Sequence, residues 1–589
     1  MKLFSEIKRR QVIQGTIAYA IVGWLLIQLA IALEASLELP AYVDRWITIG
    51  VIAGFPLAIL LAWLFDISFS GVRLTPKTAV VDTSKSAVAE AAIPAPKHSI
   101  AVLPFADMSP DGDQEYLGDG VAEEILNALV KVTELRVTGR TSSFAYKGQN
   151  LDIRKIGRSL NVAHVLEGSV RRQGDRVRIT AQLIQTDNGF HLWSETYDGD
   201  LKDIFDLQDT IAKKIVAELE ILLDAEGARL VSNLTGSPEA YDEFLRGREY
   251  FYKLVGDTWL PLAQKHLEKA VELDPQFDQA WAYLGLVHIN MPDVVNVDDP
   301  AENYENAEIA YTRAQKINPD NSVAERVKAA ILATKRDFFG AVQAYERGFK
   351  LDPENPDLIF VFGYALNSVG LHAQAITHLE KAEQLDPSFP LLQNTLGLAQ
   401  NAIGNTEKAM THWKKGIRLG YVPLRLVLAI EESQRGNIRE AYKWLRVFKR
   451  DAPPWFTERL KSPLARYFYF AALLKREKFA TWLVRRATKA RISKPGYKPF
   501  FWDAMAVYRF LEPDDYFEFM RKNAFAYALV GLPFTNVTKE QSHAILIHEN
   551  FPQFAEDVGL VKIWQTYGWP KRIQPNPGTD GSNLQFTVN

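Results

Sequence analysis

Cysteine is absent from all 589 residues. Its absence excludes disulfides, thiolate zinc sites, iron–sulfur clusters and cysteine nucleophiles. It does not fix the redox compartment, because a cysteine-free chain is at home in either. A dominant charge is also lacking. Against 68 basic residues stand 71 acidic ones, a net charge of −3, so the chain as a whole offers no strong basic field to nucleic-acid phosphates. Catalytic signatures are missing too: no HExxH, GxSxG, kinase or phosphate-loop pattern occurs. The ten histidines are scattered, and neither His372 with His378 nor His543 with His548 shares a helix face as a metal pair would. Glu123 and Glu124 are adjacent, so they are expected to point apart as surface or packing residues rather than act as a carboxylate pair. No catalytic residue, cofactor or metal is expected.

What is present is ordinary for folded protein. Hydrophobic residues are 47% and charged residues 24%, which excludes a wholly disordered chain and a polytopic transporter. At roughly 150 residues per domain the length predicts about four structural units.

Two long apolar runs come first. Val12–Leu33 and Ile47–Phe65 carry no charge. As helices they measure about 33 Å and about 28 Å, close to a bilayer core of roughly 30 Å. They predict a transmembrane hairpin at 1–70, with Pro56 kinking the second span. Tyr42, Trp46 and Trp63 sit at interfacial positions. Lys2, Lys8, Arg9 and Arg10 precede the first span, Arg73 and Lys77 follow the second, and Arg45 stands alone between them. That bias places both termini and the soluble domains in the cytoplasm, at a bacterial inner membrane. Residues 71–97 turn to Ala, Ser, Pro, Thr and Lys and read as a linker.

From His98 to about Ala225 the pattern is α/β. SIAVLPF and LRVTGRTSSFAY read as strands, and YLGDGVAEEILNALVKV as an amphipathic helix. DIRKIGRSLNV is a helix capped by Asp152, and HVLEGSVRRQGDRVRITAQLIQ is a hairpin turning at Gln173-Gly174-Asp175. HLWSETYDG continues the sheet, and Ile204–Leu223 closes the unit as a helix. Asp111–Asp119 lacks the spacing and terminal glutamate of a calcium loop and reads as a strand-to-helix turn. Arg171, Arg172, Arg176 and Arg178 read as a solvated sheet face. The motifs IAVLPF, QEYLGDGVAEEI, VLEGSVRR, RVRITAQLI, HLWSETYDG and DIFDLQDTIA resemble, in order, the bacterial TolB amino-terminal and FlgO-like domains. The resemblance implies a domain set ahead of tetratricopeptide repeats and, in relatives, attached to winged-helix, cyclase or kinase modules. With eleven residues ahead of the first span, no such effector is expected here.

Past residue 240 an internal period takes over. LDP at 273–275 recurs as INP at 317–319 and as LDP at 351–353 and 385–387, with MPDVVNVDDP (291–300) as an inserted loop in the first interval. Small residues mark second helices at Ala263, Ala270, Ala307, Ala314, Ala341, Gly348, Ala375, Ala382, Ala409 and Gly416. A 34-residue period with an Asx-Pro terminator resembles the tetratricopeptide repeat, expected over 240–455 as five units from 244 to 423 and a degenerate sixth. Aromatic-rich helices at 456–570 are expected to cap the open end of the array, and 571–589 to be disordered.

The fold class expected is therefore a two-helix transmembrane hairpin, an α/β domain and an all-α superhelix with a helical cap. First helices should line a concave groove, with Arg326, Phe360, Tyr364, Asn367, Asn394 and Asn401 pointing into it toward a peptide. Expected partners are proteins in the groove and the lipid bilayer, with no nucleic acid; self-association stays open. The leading function is a non-catalytic scaffold. The alternative is a sensory subunit that binds a ligand in the α/β domain and signals to a separate effector.

Overall fold

The computed structural model describes residues 65–68, 71–74, 95–132, 134–149, 151–219, 221, 234–253, 259–294, 300–451, 469–471, 478–493, 507–522, 534, 539–575 and 586–588. The chain divides into two compact units, Met1–Ile93 and Pro94–Asn589. In the first, β1 (Phe65–Ser68) and β2 (Gly71–Leu74) pair antiparallel. The expected span 12–33 lies outside the described residues, as does 47–65 but for Phe65, which opens β1. Gly71–Leu74, read as linker, is strand. Among the described residues no helix is long and apolar enough to cross a membrane.

The second unit begins with a mixed sheet. β3 (Ser99–Val102) runs parallel to β5 (Arg136–Val137) on one side and to β6 (His164–Gln173) on the other. The short β4 (Ala106–Asp107) also pairs parallel with β6. From β6 the chain meanders antiparallel through β7 (Arg176–Gln185) to β8 (His191–Asp200), giving the order β5-β3-β6-β7-β8. Alternation along the strands sends side chains to two faces. Ile100, Val102, Leu166, Val170, Ile179 and Leu183 join the cluster of α1 (Glu115–Val130) and α4 (Ile204–Glu218). Ala101, Leu103 and Val165 meet Ile156 and Leu160 of α3 (Ile153–Leu160) on the other. Asp152 caps α3 by accepting from the Arg154 amide at 2.9 Å.

One predicted strand is not a strand. Of LRVTGRTSSFAY only Arg136–Val137 pairs, and Arg140–Phe144 forms a short helix, α2. The start of this helix is capped from outside the segment, where a carboxylate from residue 386 takes up the Thr141 amide, as described below.

Among the described residues six helix pairs follow. They are α5 (Pro238–Tyr252) with α6 (Trp259–Leu273), α7 (Asp278–Val294) with α8 (Pro300–Ile317), and α9 (Ser322–Thr334) with α10 (Phe338–Leu351). Then come α11 (Pro356–Ser368) with α12 (His372–Leu385), α13 (Pro390–Ala402) with α14 (Thr406–Arg418), and α15 (Leu424–Gln434) with α16 (Ile438–Asp451). Helices α6, α8, α10 and α12 each stop just before the Asx-Pro step, where proline cannot continue the ladder. Ala263, Ala307, Ala341, Ala375 and Ala409 are fully buried, as close packing of paired helices requires. The inserted segment is partly helix, since α7 runs on to Val294 with Pro292 inside it.

The C-terminal helices are α17 (Lys478–Ile492), α18 (Pro513–Lys522), α19 (Lys539–Leu546), α20 (Phe551–Asp557) and α21 (Leu560–Tyr567). Only part of this region covers the end of the array. Ala480 and Val484 of α17 join Leu426, Leu445 and Phe448 of the last pair. Residues 539–573 instead fold back on the middle pairs, where Trp564 donates to the Val369 carbonyl at 2.8 Å and shares a core with Phe362, Leu379 and Leu396. The tail read as disordered contains β9 (Ile573–Pro575) paired with β10 (Phe586–Val588), anchored by the buried Ile573.

Candidate functional site at the junction of sheet and repeats

The sheet domain does not hang beside the repeats; it is built into them. Helix α1 lays Tyr116, Asp119, Glu123 and Glu124 along its buried length, and the first repeat helix, α5, answers with Asp242, Arg246 and Arg248. Both glutamates are buried rather than surface residues, and one guanidinium serves them: Arg248 Nη1 lies 2.8 Å from Glu124 and Nε 3.4 Å from Glu123. Glu123 also accepts from Arg140 at 2.9 Å. Burial raises the Glu124 pKa and Arg248 opposes it. Burial works against the charge on Arg248, but Glu123 and Glu124 outweigh it and hold the guanidinium protonated. The arrangement satisfies the rule that buried charge must be paired.

At one edge of this contact, Tyr116 donates to Asp242 at 2.6 Å, and Arg172 donates to the same oxygen at 2.5 Å. Arg172, expected on a solvated face, is thus an interdomain residue. Arg178 stays on the sheet, paired with Asp198 at 2.7 Å. At the other edge, Arg140 stacks over Tyr252 at 4.0 Å, and the Tyr252 hydroxyl lies 3.1 Å from that of Tyr283.

A second contact lies over a hundred residues further along the repeats. Asp386, in the turn after α12, is 1% exposed. Its carboxylate accepts from the Thr141 amide at 3.1 Å and from the Ser142 hydroxyl, and Ser142 Oγ accepts from the Ser388 amide at 2.6 Å. The repeat turn therefore caps α2 from outside the domain. Gly139 donates to the Leu385 carbonyl at 2.5 Å, and a Cβ there would meet Asp386 at 2.8 Å. Burial pushes the Asp386 carboxyl up to about 6, Asp357 adds to the rise, and the hydrogen bonds oppose it.

The groove candidates divide. Arg326, Tyr364 and Asn394 are half-buried on first helices. Phe360 is buried and packs on Phe389 with ring centroids 4.7 Å apart. Asn367 is 3% exposed, and its Oδ1 lies 2.8 Å from His372 Nδ1. Asn401, one period later, is buried and accepts from Thr406 at 3.1 Å. These two asparagines close the turn inside a helix pair instead of facing a groove. Sequence reading missed Asp386, Ser142 and Arg248. Asp386 looks like every other Asx-Pro turn: Asp274 accepts from the Gln276 amide and Asp352 from Asn355 in the ordinary local way. Nothing local distinguishes it.

Sheet, helix pairs and junction define an α/β domain docked on a tetratricopeptide-type repeat array. A family model described as the second domain of HilA/YgeH-like transcriptional regulators matches residues 96–214. A protein named putative adenylate cyclase 3, from Rhizobium meliloti (strain 1021), is 44% identical over 201 residues, 34% of either chain. This chain thus spans about a third of the length of that curated relative. Pseudomonas aeruginosa pilF is similar in structure at 18% identity, over 37% of this chain and 93% of that one, with a TM-score of 0.29. YrrB, described as a TPR protein with an unusual peptide-binding site, is 18% identical over 35% of this chain and 91% of its own, with a TM-score of 0.22. The assignment of the repeats rests on the helix pairing in this chain, not on those two likenesses.

Proposed function

We propose that this chain is a non-catalytic protein-interaction scaffold, anchored at a bacterial inner membrane by the hairpin of 12–33 and 47–65 with its soluble part in the cytoplasm. Its 98–225 unit is read as a TolB amino-terminal/FlgO-like domain. The observation that carries the scaffold reading is the array of six helix pairs, stiffened by the docked domain, with Arg326, Tyr364 and Asn394 half-exposed on successive first helices. Half-exposed arginine and asparagine can bind the carboxylates and backbone of an extended peptide. Full-length protein is purified from detergent extract as wild type and as the double variant Arg326→Ala, Asn394→Ala. A co-purifying protein lost from the variant, at unchanged circular dichroism, supports the groove. Undiminished capture moves the binding surface elsewhere.

A sensory subunit is the second reading, favoured by the match of residues 96–214 to a domain of transcriptional regulators. A bound small molecule released on denaturing the purified chain would support it over the scaffold.

A further inference from the structure

The near-neutral net charge conceals a strongly uneven distribution. Residues 406–451, which cover α14 to α16, hold eleven Lys and Arg against four Glu and one Asp, a balance of +6. Two of those acids, Glu431 and Glu432, are buried. Helix α17 adds five Lys and Arg and no acid. Since the whole chain is −3, the remainder carries −14. The basic share of α17 lies beside that of the last pair of the array, because α16 and α17 bury their inner faces in the same apolar cluster. Their outer faces carry large aromatics among the cations. Tyr442 is 44% exposed and Trp482 is 51% exposed. Lys443 and Arg446 flank the tyrosine on α16, and Arg486 stacks over Trp482 at 5.5 Å.

We propose that this end of the repeat array, through Tyr442, Lys443, Arg446, Trp482 and Arg486, docks on an anionic lipid surface. Charge complementarity favours an anionic partner, and exposed Trp and Tyr set among Lys and Arg favour a bilayer interface. Amphipathic aromatics rest at headgroup level while cations neutralise lipid phosphates, each basic residue adding to the attraction. The inference leans on the proposed anchor for its second support: two apolar runs of spanning length in the same chain would keep the rest of it within reach of a bilayer. Acids temper the patch: Lys443 lies 3.3 Å from Glu440 within it, and at its rim Arg485 pairs with Glu512 at 2.5 Å and Lys489 with Asp515 at 2.7 Å.

The absence of native cysteine makes the test direct. Ala490→Cys, one turn beyond Arg486 on the exposed side of α17, is labelled with a fluorophore in the full chain. Glu305→Cys on α8 serves as control. Flotation with phosphatidylcholine vesicles reads the anchor alone. Quenching of the label by a lipid-borne nitroxide, in vesicles with and without phosphatidylglycerol, reads the patch. The expected result is quenching at 490 but not 305, only with phosphatidylglycerol, reversed by salt and lost in Lys443→Glu, Arg446→Glu, Arg486→Glu. A chain that floats but shows no quenching overturns the patch and leaves the anchor standing. A chain that does not float with neutral vesicles loses the anchor; binding to added phosphatidylglycerol vesicles would then still support the patch, and failure to bind would overturn it. A label that responds to duplex DNA and not to lipid assigns the surface to nucleic acid and overturns the proposal.

Discussion

Two buried side chains make opposite demands on pH. Asp386 has its pKa raised from 3.8 to about 6, so the neutral carboxyl suits the docked turn better than the carboxylate. Its contribution therefore improves as pH falls from about 6 toward 3.8, and at pH 7 its buried charge costs up to about 3 kcal/mol. His372 has its pKa lowered from 6.5 to about 4 by burial. Its contribution is complete above 6.5 and is lost as pH falls toward 4. Between pH 4 and 6 the two nearly cancel. Asp386→Asn, a neutral isostere, is expected to raise the unfolding temperature at pH 7 and to steepen the acid loss that His372 then causes unopposed. A lowered melting temperature at pH 7 would mean the ionised form is the one that holds α2. Asn367 presents a different case. Because its side chain is committed to His372 inside the fold, Asn367→Ala should cost about 1–3 kcal/mol in denaturant unfolding. A variant as stable as wild type would return Asn367 to the groove.

Helix pairs were the part most open to sequence reading, and the reason is spatial. Each pair makes its contacts within about one period, so Ala375 beside Leu379 or an Asx-Pro stop is a local pattern that repeats in the sequence. Gly285, Gly363 and Gly397 occupy the matching place on first helices, with Ala329 between them. A Cβ at Gly397 would lie 2.1 Å from Trp413 Nε1, and Trp413 is buried and cannot swing out. Gly397→Ala is therefore expected to cost about 1–3 kcal/mol by forcing α13 from α14, despite the better helix propensity of alanine. Guanidinium unfolding gives the number, and a stabilised variant would mean the pair has slack. At position 329 the same methyl is native and fully buried. Short elements were less legible. Arg140–Phe144 reads as strand from its own residues, and the carboxylate that caps its Thr141 amide lies 245 residues away in the sequence.

The docking of sheet on repeats was not legible at all, because contacts between residues 116–142 and 242–388 repeat with no period. Glu123 and Glu124 show why. As neighbours on a helix they looked divergent, yet Arg248 is large enough to reach one with Nε and the other with Nη1. That side chain is one of several that couple the two parts of the molecule, and its double role predicts a definite pattern of loss and rescue. Arg248→Met leaves two carboxylates buried with less than their share of positive charge, and should cost about 3–5 kcal/mol. Adding Glu124→Leu removes the carboxylate that depends on Arg248 alone, while Glu123 keeps Arg140 at 2.9 Å. The double variant should therefore recover most of the lost stability, since replacing a buried ion pair with packed apolar groups is often neutral. Denaturant unfolding followed by far-ultraviolet circular dichroism and tryptophan fluorescence measures both effects. In Arg248→Met the two signals should separate, as the sheet domain detaches before the repeats melt, and in the double variant they should coincide again. Coincident transitions in the single variant would show that Asp386 and Tyr116 hold the domain without Arg248.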